Sequence, residues 1–210
     1  ALPILSKAFA HLQRVISNIK DLKKLKFIIS GHLGTTTEED YSIFTNLTNF
    51  QNLKVFYLGV RKNNLFNENK LEPIMNHLVN FKHLQCLKLI FEADLNLKNL
   101  KPIGNCLSKL EELTMLFIDL SYCTGLKDEQ IESLLEDLSN ISNLEGLKLV
   151  MKQLQIKTAF NGVAQYLSKL SKLRYLSLDF DHCPLENSNI ESLRSALESP
   201  TAFESLKLLN

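Results

Sequence analysis

The chain has 210 residues, 42 of them leucine, and a formal net charge of +1. Hydrophobic residues supply 45% and charged residues 22%, a balance that excludes a disordered chain. Near-neutrality argues against a general nucleic-acid binder, whose affinity comes mostly from neutralising phosphates, and four cysteines are too few for a disulfide framework. No apolar run reaches the 18 residues of a membrane span.

In chain order, residues 2–19 read as a helix with Leu5, Phe9, Leu12 and Ile16 on one face. Leu22, Leu25 and Phe27 then follow the pattern L-x-x-L-x-L, whose second half alternates as a strand does. Gly31-His-Leu-Gly34 reads as a turn before Thr35–Glu38, which resembles a capping box and leads into a plain helical pattern over 38–50. The strand pattern returns at Leu53, Phe56 and Leu58. A helix follows over Asn67–Phe81, with Leu71, Ile74, Met75 and Leu78 at i, i+3, i+4 and i+7. Leu84, Leu87 and Leu89 precede a helix over Asn99–Leu110, and Leu113, Leu116 and Ile118 precede one over Lys127–Ile141. Asp128 and Glu129 in the first turn of the latter suit the helix dipole. Leu144, Leu147 and Leu149 lead to Thr158–Leu170; Leu173, Leu176 and Leu178 lead to Asn187–Ser199; Phe203, Leu206 and Leu208 close the series.

The seven copies begin at 22, 53, 84, 113, 144, 173 and 203, at intervals of 31, 31, 29, 31, 29 and 30. A strand–helix unit of this size cannot bury its own apolar face, and stacking does so. Helices pack about 8–10 Å apart and strands about 4.8 Å apart. A side-by-side stack therefore curves, with its sheet on the concave side. Leu116-Phe-Ile-Asp-Leu-Ser-Tyr-Cys123 and Leu176-Ser-Leu-Asp-Phe-Asp-His-Cys183 carry the pattern L-x-L-x-x-x-x-C. With the period, this resembles the leucine-rich-repeat proteins, in the ribonuclease-inhibitor-like subclass, and in wording the arrays of ciliated protozoa. The resemblance covers essentially the whole chain. It implies a right-handed α/β solenoid, a horseshoe segment of about seven strands with helices on the convex side. The loop Asn or Cys of the family is replaced by Asn63 in one copy and is not evident after Leu89 or Leu149.

Residues 1–210 read as a single domain. The start inside a repeat, the missing initiating Met and the lack of polar caps point to a segment of a longer array, or to ends covered by a partner.

Residues between the leucines face the concave side. The central position reads Lys26, Tyr57, Lys88, Phe117, Lys148, Ser177 and Lys207; the next reads Ile28, Gly59, Ile90, Asp119, Val150, Asp179 and Leu209. Odd copies present Lys then an aliphatic residue, and even copies an aromatic residue or Ser, then Gly or Asp. Lys88 and Lys148 flank Phe117 and lie diagonal to Asp119, so cation–π contact and ion pairing are both open. Two readings compete: a protein-binding surface, or a self-satisfied ladder inherited by duplication. Binding through the helical side is a third. The row Ile28, Ile90, Val150 and Leu209, expected to be exposed, favours binding.

Catalytic chemistry finds little support. His182 and Cys183 are neighbours in an extended stretch, where adjacent side chains diverge. Cys183 and Cys123 fit a small buried loop slot, Cys106 a core helix face, and Cys86 the concave strand as an accessible thiol. No C-x-x-C or H-x-x-x-H suggests a metal, and His77 and His83 merely bracket a helix end and a strand start. Asp119 and Asp179 lie about 10 Å apart, two strand spacings, beyond the roughly 5–9.5 Å of paired glycosidase carboxylates. The Gly31–Gly34 segment lacks the third glycine and the G-K-[ST] ending of a phosphate loop. Two sequons, at Asn46 and Asn140, match chance for 19 Asn and lie near helix ends.

The expectation is a non-catalytic protein-interaction or scaffolding module without cofactor, cytoplasmic on the evidence of free cysteines and no visible signal, and part of a larger chain or multi-subunit complex. Its expected contact residues are Lys26, Tyr57, Lys88, Phe117, Asp119, Lys148, Tyr175 and Asp179. Two alternatives are a regulator of the Ran-type GTPase-activating kind, disfavoured by only four Arg and no acidic tail, and an RNA-associated module using the lysine row.

Overall fold

The repeated leucines build one parallel sheet. The computed structural model describes residues 19, 21–30, 50–62, 66–92, 97–198 and 207–208. Apart from their last residues, the expected helices over 2–19 and 38–50 lie outside the described residues, as does the Gly31–Gly34 turn. Seven strands follow one another in sequence order: β1 (Lys24–Ser30), β2 (Val55–Arg61), β3 (Cys86–Glu92), β4 (Met115–Asp119), β5 (Gly146–Val150), β6 (Tyr175–Asp179) and β7 (Lys207–Leu208). Every neighbouring pair is parallel. The register aligns Leu25, Phe56, Leu87, Leu116, Leu147 and Leu176 in one row, and Phe27, Leu58, Leu89, Ile118, Leu149 and Leu178 in the next. These rows face the helices and form the core with them.

Five described helices cover that face: α1 (Glu68–Leu78), α2 (Lys101–Leu107), α3 (Asp128–Leu138), α4 (Ala159–Leu167) and α5 (Asn187–Leu197). Each occupies the expected slot but is shorter than the apolar pattern. The reason is visible after α3, where the Ile141 N–H bonds to the Leu138 carbonyl at 3.1 Å. That tight i−3 turn buries the last apolar residue of the pattern without continuing the helix. The same closure recurs where Phe81, Leu110 and Leu170 bond back to Leu78, Leu107 and Leu167, and a second i−3 turn then brings Leu53, Leu84, Leu113, Leu144 and Leu173 toward the strands. The result is an α/β leucine-rich-repeat solenoid.

Neighbouring repeats are tied by polar links as well as by apolar burial. One carbonyl accepts two successive N–H groups of the next repeat: Lys54 from Gln85 and Cys86, Gln85 from Thr114 and Met115, Thr114 from Glu145 and Gly146. Asp128 in the first turn of α3 accepts the N–H groups of Lys157 and Ala159 at 2.8 and 2.7 Å. One helix thereby satisfies two backbone donors at the start of the next. The loop cysteines act likewise. Cys123 Sγ donates to the Phe91 carbonyl at 3.1 Å, and Cys183 Sγ to that of Met151 at 2.8 Å. Each fastens an even copy to the copy before it.

The last strand corrects the expected alignment. Leu206 was expected beside Leu176, but the register pairs Tyr175 with Lys207 and Leu176 with Leu208. The shift is two residues, so the alternation of faces is preserved while Lys207 aligns with Tyr175 rather than Ser177. Leu208 takes the place expected for Leu206 beside Leu176, so one leucine replaces another at that position of the row.

Lys62, Tyr122, Gln153 and His182 all have left-handed backbone, with φ of 50, 64, 57 and 58°. Each falls nine positions after the first leucine of its copy, where the chain leaves the sheet. At three of them the conformation accompanies an inter-repeat bond: the Lys62 N–H reaches the Glu92 carbonyl at 3.0 Å, the Tyr122 N–H that of Lys152 at 2.9 Å and the Gln153 N–H that of Asp181 at 3.0 Å. A Cβ in this region costs about 1–2 kcal/mol, and glycine recovers part of it. Gln153→Gly should therefore raise stability by about 1 kcal/mol, read as a higher urea midpoint; a lower midpoint would show the side chain to be needed.

Candidate functional site

The concave face carries three rows of side chains. The central row is Lys26, Tyr57, Lys88, Phe117, Lys148 and Ser177, each beside the next in register. Its lysines sit on its rings. Lys26 Nζ lies 4.8 Å from the Tyr57 centroid, Lys88 Nζ lies 5.2 Å from Tyr57 and 4.2 Å from Phe117, and Lys148 Nζ lies 5.4 Å from Phe117. Strand spacing of about 4.8 Å sets these distances. Each contact contributes about 0.5–1 kcal/mol at an exposed site. Among the described residues, no ion pair neutralises Lys26, Lys88 or Lys148, so the ion pairing left open with Asp119 does not form. Partial burial, together with the positive charges of Lys148, Lys26 and Arg61, lowers the Lys88 pKa, against the pull of Asp119. The column is thus a line of positive charge held in place by aromatic rings.

The second row is Ile28, Gly59, Ile90, Asp119, Val150 and Asp179. Here the expected exposed aliphatic row is not found. Ile28 is 49% exposed, but Ile90 and Val150 are only 3% and 5% exposed. Tyr57 leans along its strand over Gly59, so that a Cβ there would lie 3.3 Å from the phenol oxygen. The ring therefore stands beside Ile90. Val150 lies between Asp119 and Asp179 in register, and Lys152 Nζ bridges to Asp179 at 2.9 Å. Leu209 lies outside the described residues. The carboxylates are engaged locally: Asp119 accepts the Ser121 N–H at 3.0 Å and Asp179 that of Asp181 at 3.3 Å. The Lys152 hydrogen bond lowers the Asp179 pKa, against a smaller effect of burial.

The third row, Cys86, Met115, Gly146 and Tyr175, went unread in the sequence apart from Tyr175 and the Cys86 thiol. Between it and the central row, residues of strands β3–β6 line an open hollow of about 420 Å³. Met115 and Tyr175, 42% and 40% exposed, stand on either side of Gly146. The Met115 thioether lies across the glycine, where a Cβ would meet Sδ and Cε. Phe117, Lys88, Lys148 and Ser177 complete the rim. The signal for this row was present two positions before the central row of each copy.

The structure thus gathers Lys26, Tyr57, Lys88, Phe117 and Lys148 into one column and sets Tyr175 at its flank. It holds Asp119 and Asp179 in their own turns. The other polar candidates stand apart. His182 is an exposed neighbour of Asp181, at 3.6 Å, while Cys183 bonds backward. His77 Nδ1 contacts the Pro73 carbonyl at 2.7 Å, and His83 pairs with Glu112 at 2.9 Å. Among the described residues, no three His, Cys, Asp or Glu converge to hold a metal, and no helix is long and apolar enough to cross a membrane. Asn140 follows α3 and donates to the Glu136 carbonyl at 3.0 Å; Asn46 lies outside the described residues. Cys86 is half-buried, and burial raises its thiol pKa.

Among solved structures, the tropomodulin C-terminal domain of Caenorhabditis elegans is similar at 11% identity, with 95% of this chain and 93% of that chain covered and a TM-score of 0.44. An internalin C2 of Listeria monocytogenes is 19% identical, with 94% and 84% covered and a TM-score of 0.38. A leucine-rich-repeat protein of Leptospira interrogans is 19% identical, with 93% of this chain and 50% of its own covered and a TM-score of 0.35. No family model matches the chain, and no curated protein does.

Proposed function

We propose that the chain is a non-catalytic protein-binding module of the ribonuclease-inhibitor-like kind that receives its partner on the concave face. The observation that carries this reading is the column of ring-seated lysines beside an apolar hollow. Exposed Met115 and Tyr175 provide anchoring area, and Lys26, Lys88 and Lys148 provide charge that no described carboxylate holds in an ion pair. Aromatic burial supplies affinity in such a contact, and the charges supply register and partner choice. Asp119 and Asp179 bound the site on one side, where they would repel an acidic partner and so orient it. The cation–π contacts hold the lysines near their bound geometry, reducing the ordering cost of association.

Phe117→Asp is the direct test. It removes the ring from between Lys88 and Lys148 and places a carboxylate there, while the leucine rows stay intact. Recovery of a cross-linked native partner should fall at least tenfold, with the circular dichroism spectrum unchanged. Undiminished recovery by the folded variant would move the interface off the concave face.

A further inference from the structure

We infer that the hollow over Gly146 seats one apolar side chain of an acidic peptide segment, whose carboxylates lie against Lys88 and Lys148. This rests on the concave-face reading and specifies its partner. Three observations combine. The hollow holds about 420 Å³, room for a leucine or phenylalanine side chain and part of its backbone. Its inner wall is the Met115 thioether lying across Gly146, and an unbranched, polarisable side chain of this kind adapts to an inserted group. Its rim carries Lys88 and Lys148, which flank Phe117 in register. Two strand spacings place these lysines about 10 Å apart, a span of about three extended residues. The opposite charges, Asp119 and Asp179, lie in the second row, on the far side of the central column from Gly146.

Charge alone would also suit a nucleic acid, but the rings argue for peptide. Single-stranded RNA gains its affinity by stacking bases on open aromatic faces. Here Lys26 and Lys88 lie over Tyr57, and Lys88 and Lys148 over Phe117. A base would have to displace the cations that attract its phosphate.

The test uses the 210-residue chain and fluorescein-labelled synthetic peptides read by anisotropy. The first peptide has a central Phe flanked on both sides by Glu. The second replaces each Glu by Gln, and the third replaces Phe by Ser. The inference expects the first to bind and each of the others to bind at least tenfold more weakly. Gly146→Leu should abolish binding of the first peptide, because a side chain there drives Met115 into the hollow. Lys148→Glu, on an exposed residue that folding does not require, should weaken it at least tenfold. Equal binding of the Gln peptide, or unchanged binding by a folded Gly146→Leu chain, would overturn the inference. So would an oligouridylate that binds more tightly than the first peptide. Should the peptides fail while Phe117→Asp still abolishes partner recovery, the acidic-anchor inference falls and the concave-face reading stands.

Discussion

Phe91→Ala will lower stability by about 3–5 kcal/mol, a large share of the roughly 5–15 kcal/mol available to a folded domain. Phe91 is fully buried in β3 and stacks on Phe66 with centroids 5.8 Å apart and planes 22° from parallel. It belongs to an aromatic cluster peculiar to the first described repeats, where Phe50, Phe56, Phe66, Phe81 and Phe91 are all fully buried. Later repeats fill the same space mainly with Leu and Ile. A cavity at Phe91 also loosens the strand whose carbonyl receives Cys123. A solenoid is held by contacts between adjacent repeats, so a weakened unit in the middle uncouples its two sides. The variant should unfold in two urea steps, with amides of β1–β3 losing hydrogen-exchange protection before those of β5 and β6. Phe180→Ala provides the contrast. That ring is only partly buried, against Phe160 at 4.7 Å, and its loss should cost about half as much or less. A single transition for Phe91→Ala, within 1 kcal/mol of the parent chain, would show that the aromatic cluster is not structurally central.

The leucine period made much of this architecture readable, because one constraint fixes three things at once. The spacing fixes the number of units, the alternation fixes which side chains face the helices, and stacking fixes which residues become neighbours across strands. The contacts of Lys88 with Tyr57 and Phe117 follow from that logic without any knowledge of coordinates. What stayed hidden depends on side-chain direction along the strand. Ile90 was expected to be exposed because its position is concave, and it is buried because Tyr57 turns toward Gly59. The Gly146 hollow was missed for the converse reason: an absent side chain leaves no mark in a hydrophobic pattern, and its importance appears only when Met115 and Tyr175 stand beside it. The left-handed residues gave no signal either, since Lys62, Tyr122, Gln153 and His182 are poor formers of that conformation; Lys62, Tyr122 and Gln153 adopt it where their N–H groups bond to the next repeat. The slip at β7 reflects real degeneracy, as leucines occur at both 206 and 208.

These observations bear on how the concave face can be specific. The leucine rows are nearly interchangeable between copies, so they determine curvature and spacing but not partner choice. In the proposed binding mode, choice would rest on the two-repeat alternation, which sets cations beside rings rather than beside one another. Had every copy carried lysine, adjacent ammonium groups about 4.8 Å apart would repel. Alternation spaces them about twice as far apart and inserts a ring that each can approach. The same alternation places Cys123 and Cys183 in even copies, so concave charge and loop anchoring repeat with one period of 60 residues.

Raising the pH from 8 to about 10.5 will remove about 4 kcal/mol of stability through two buried thiols alone. Burial pushes Cys106 and Cys123 from an ordinary thiol value of 9.0 up to about 12, with Lys109 weakly opposing the first and Asp119 reinforcing the second. In the unfolded chain both thiols ionise near their ordinary value, while the folded chain keeps them protonated until about 12. Between those limits the unfolded state binds fewer protons, so stability falls as pH rises. Below 9.0 neither state loses these protons and the contribution is flat. At about pH 10.5 each thiol is 1.5 units past its unfolded value, about 2 kcal/mol each at 1.36 kcal/mol per unit. Lysines also titrate there, so the measurement needs a matched chain. Cys106→Ala with Cys123→Ser removes both thiols, and the serine hydroxyl retains a donor for the Phe91 carbonyl. The difference in urea stability between parent and double variant should be constant from pH 6 to 8. It should then shift by about 4 kcal/mol in the variant's favour by about pH 10.5. At pH 8 the parent's Cys106 and Cys123 should resist a disulfide reagent until the chain unfolds, because the reactive thiolate is suppressed and enclosed. Parallel pH profiles for the two chains would mean that these thiols ionise as freely in the fold as outside it, and that water reaches both the α2 face at Cys106 and the loop slot at Cys123.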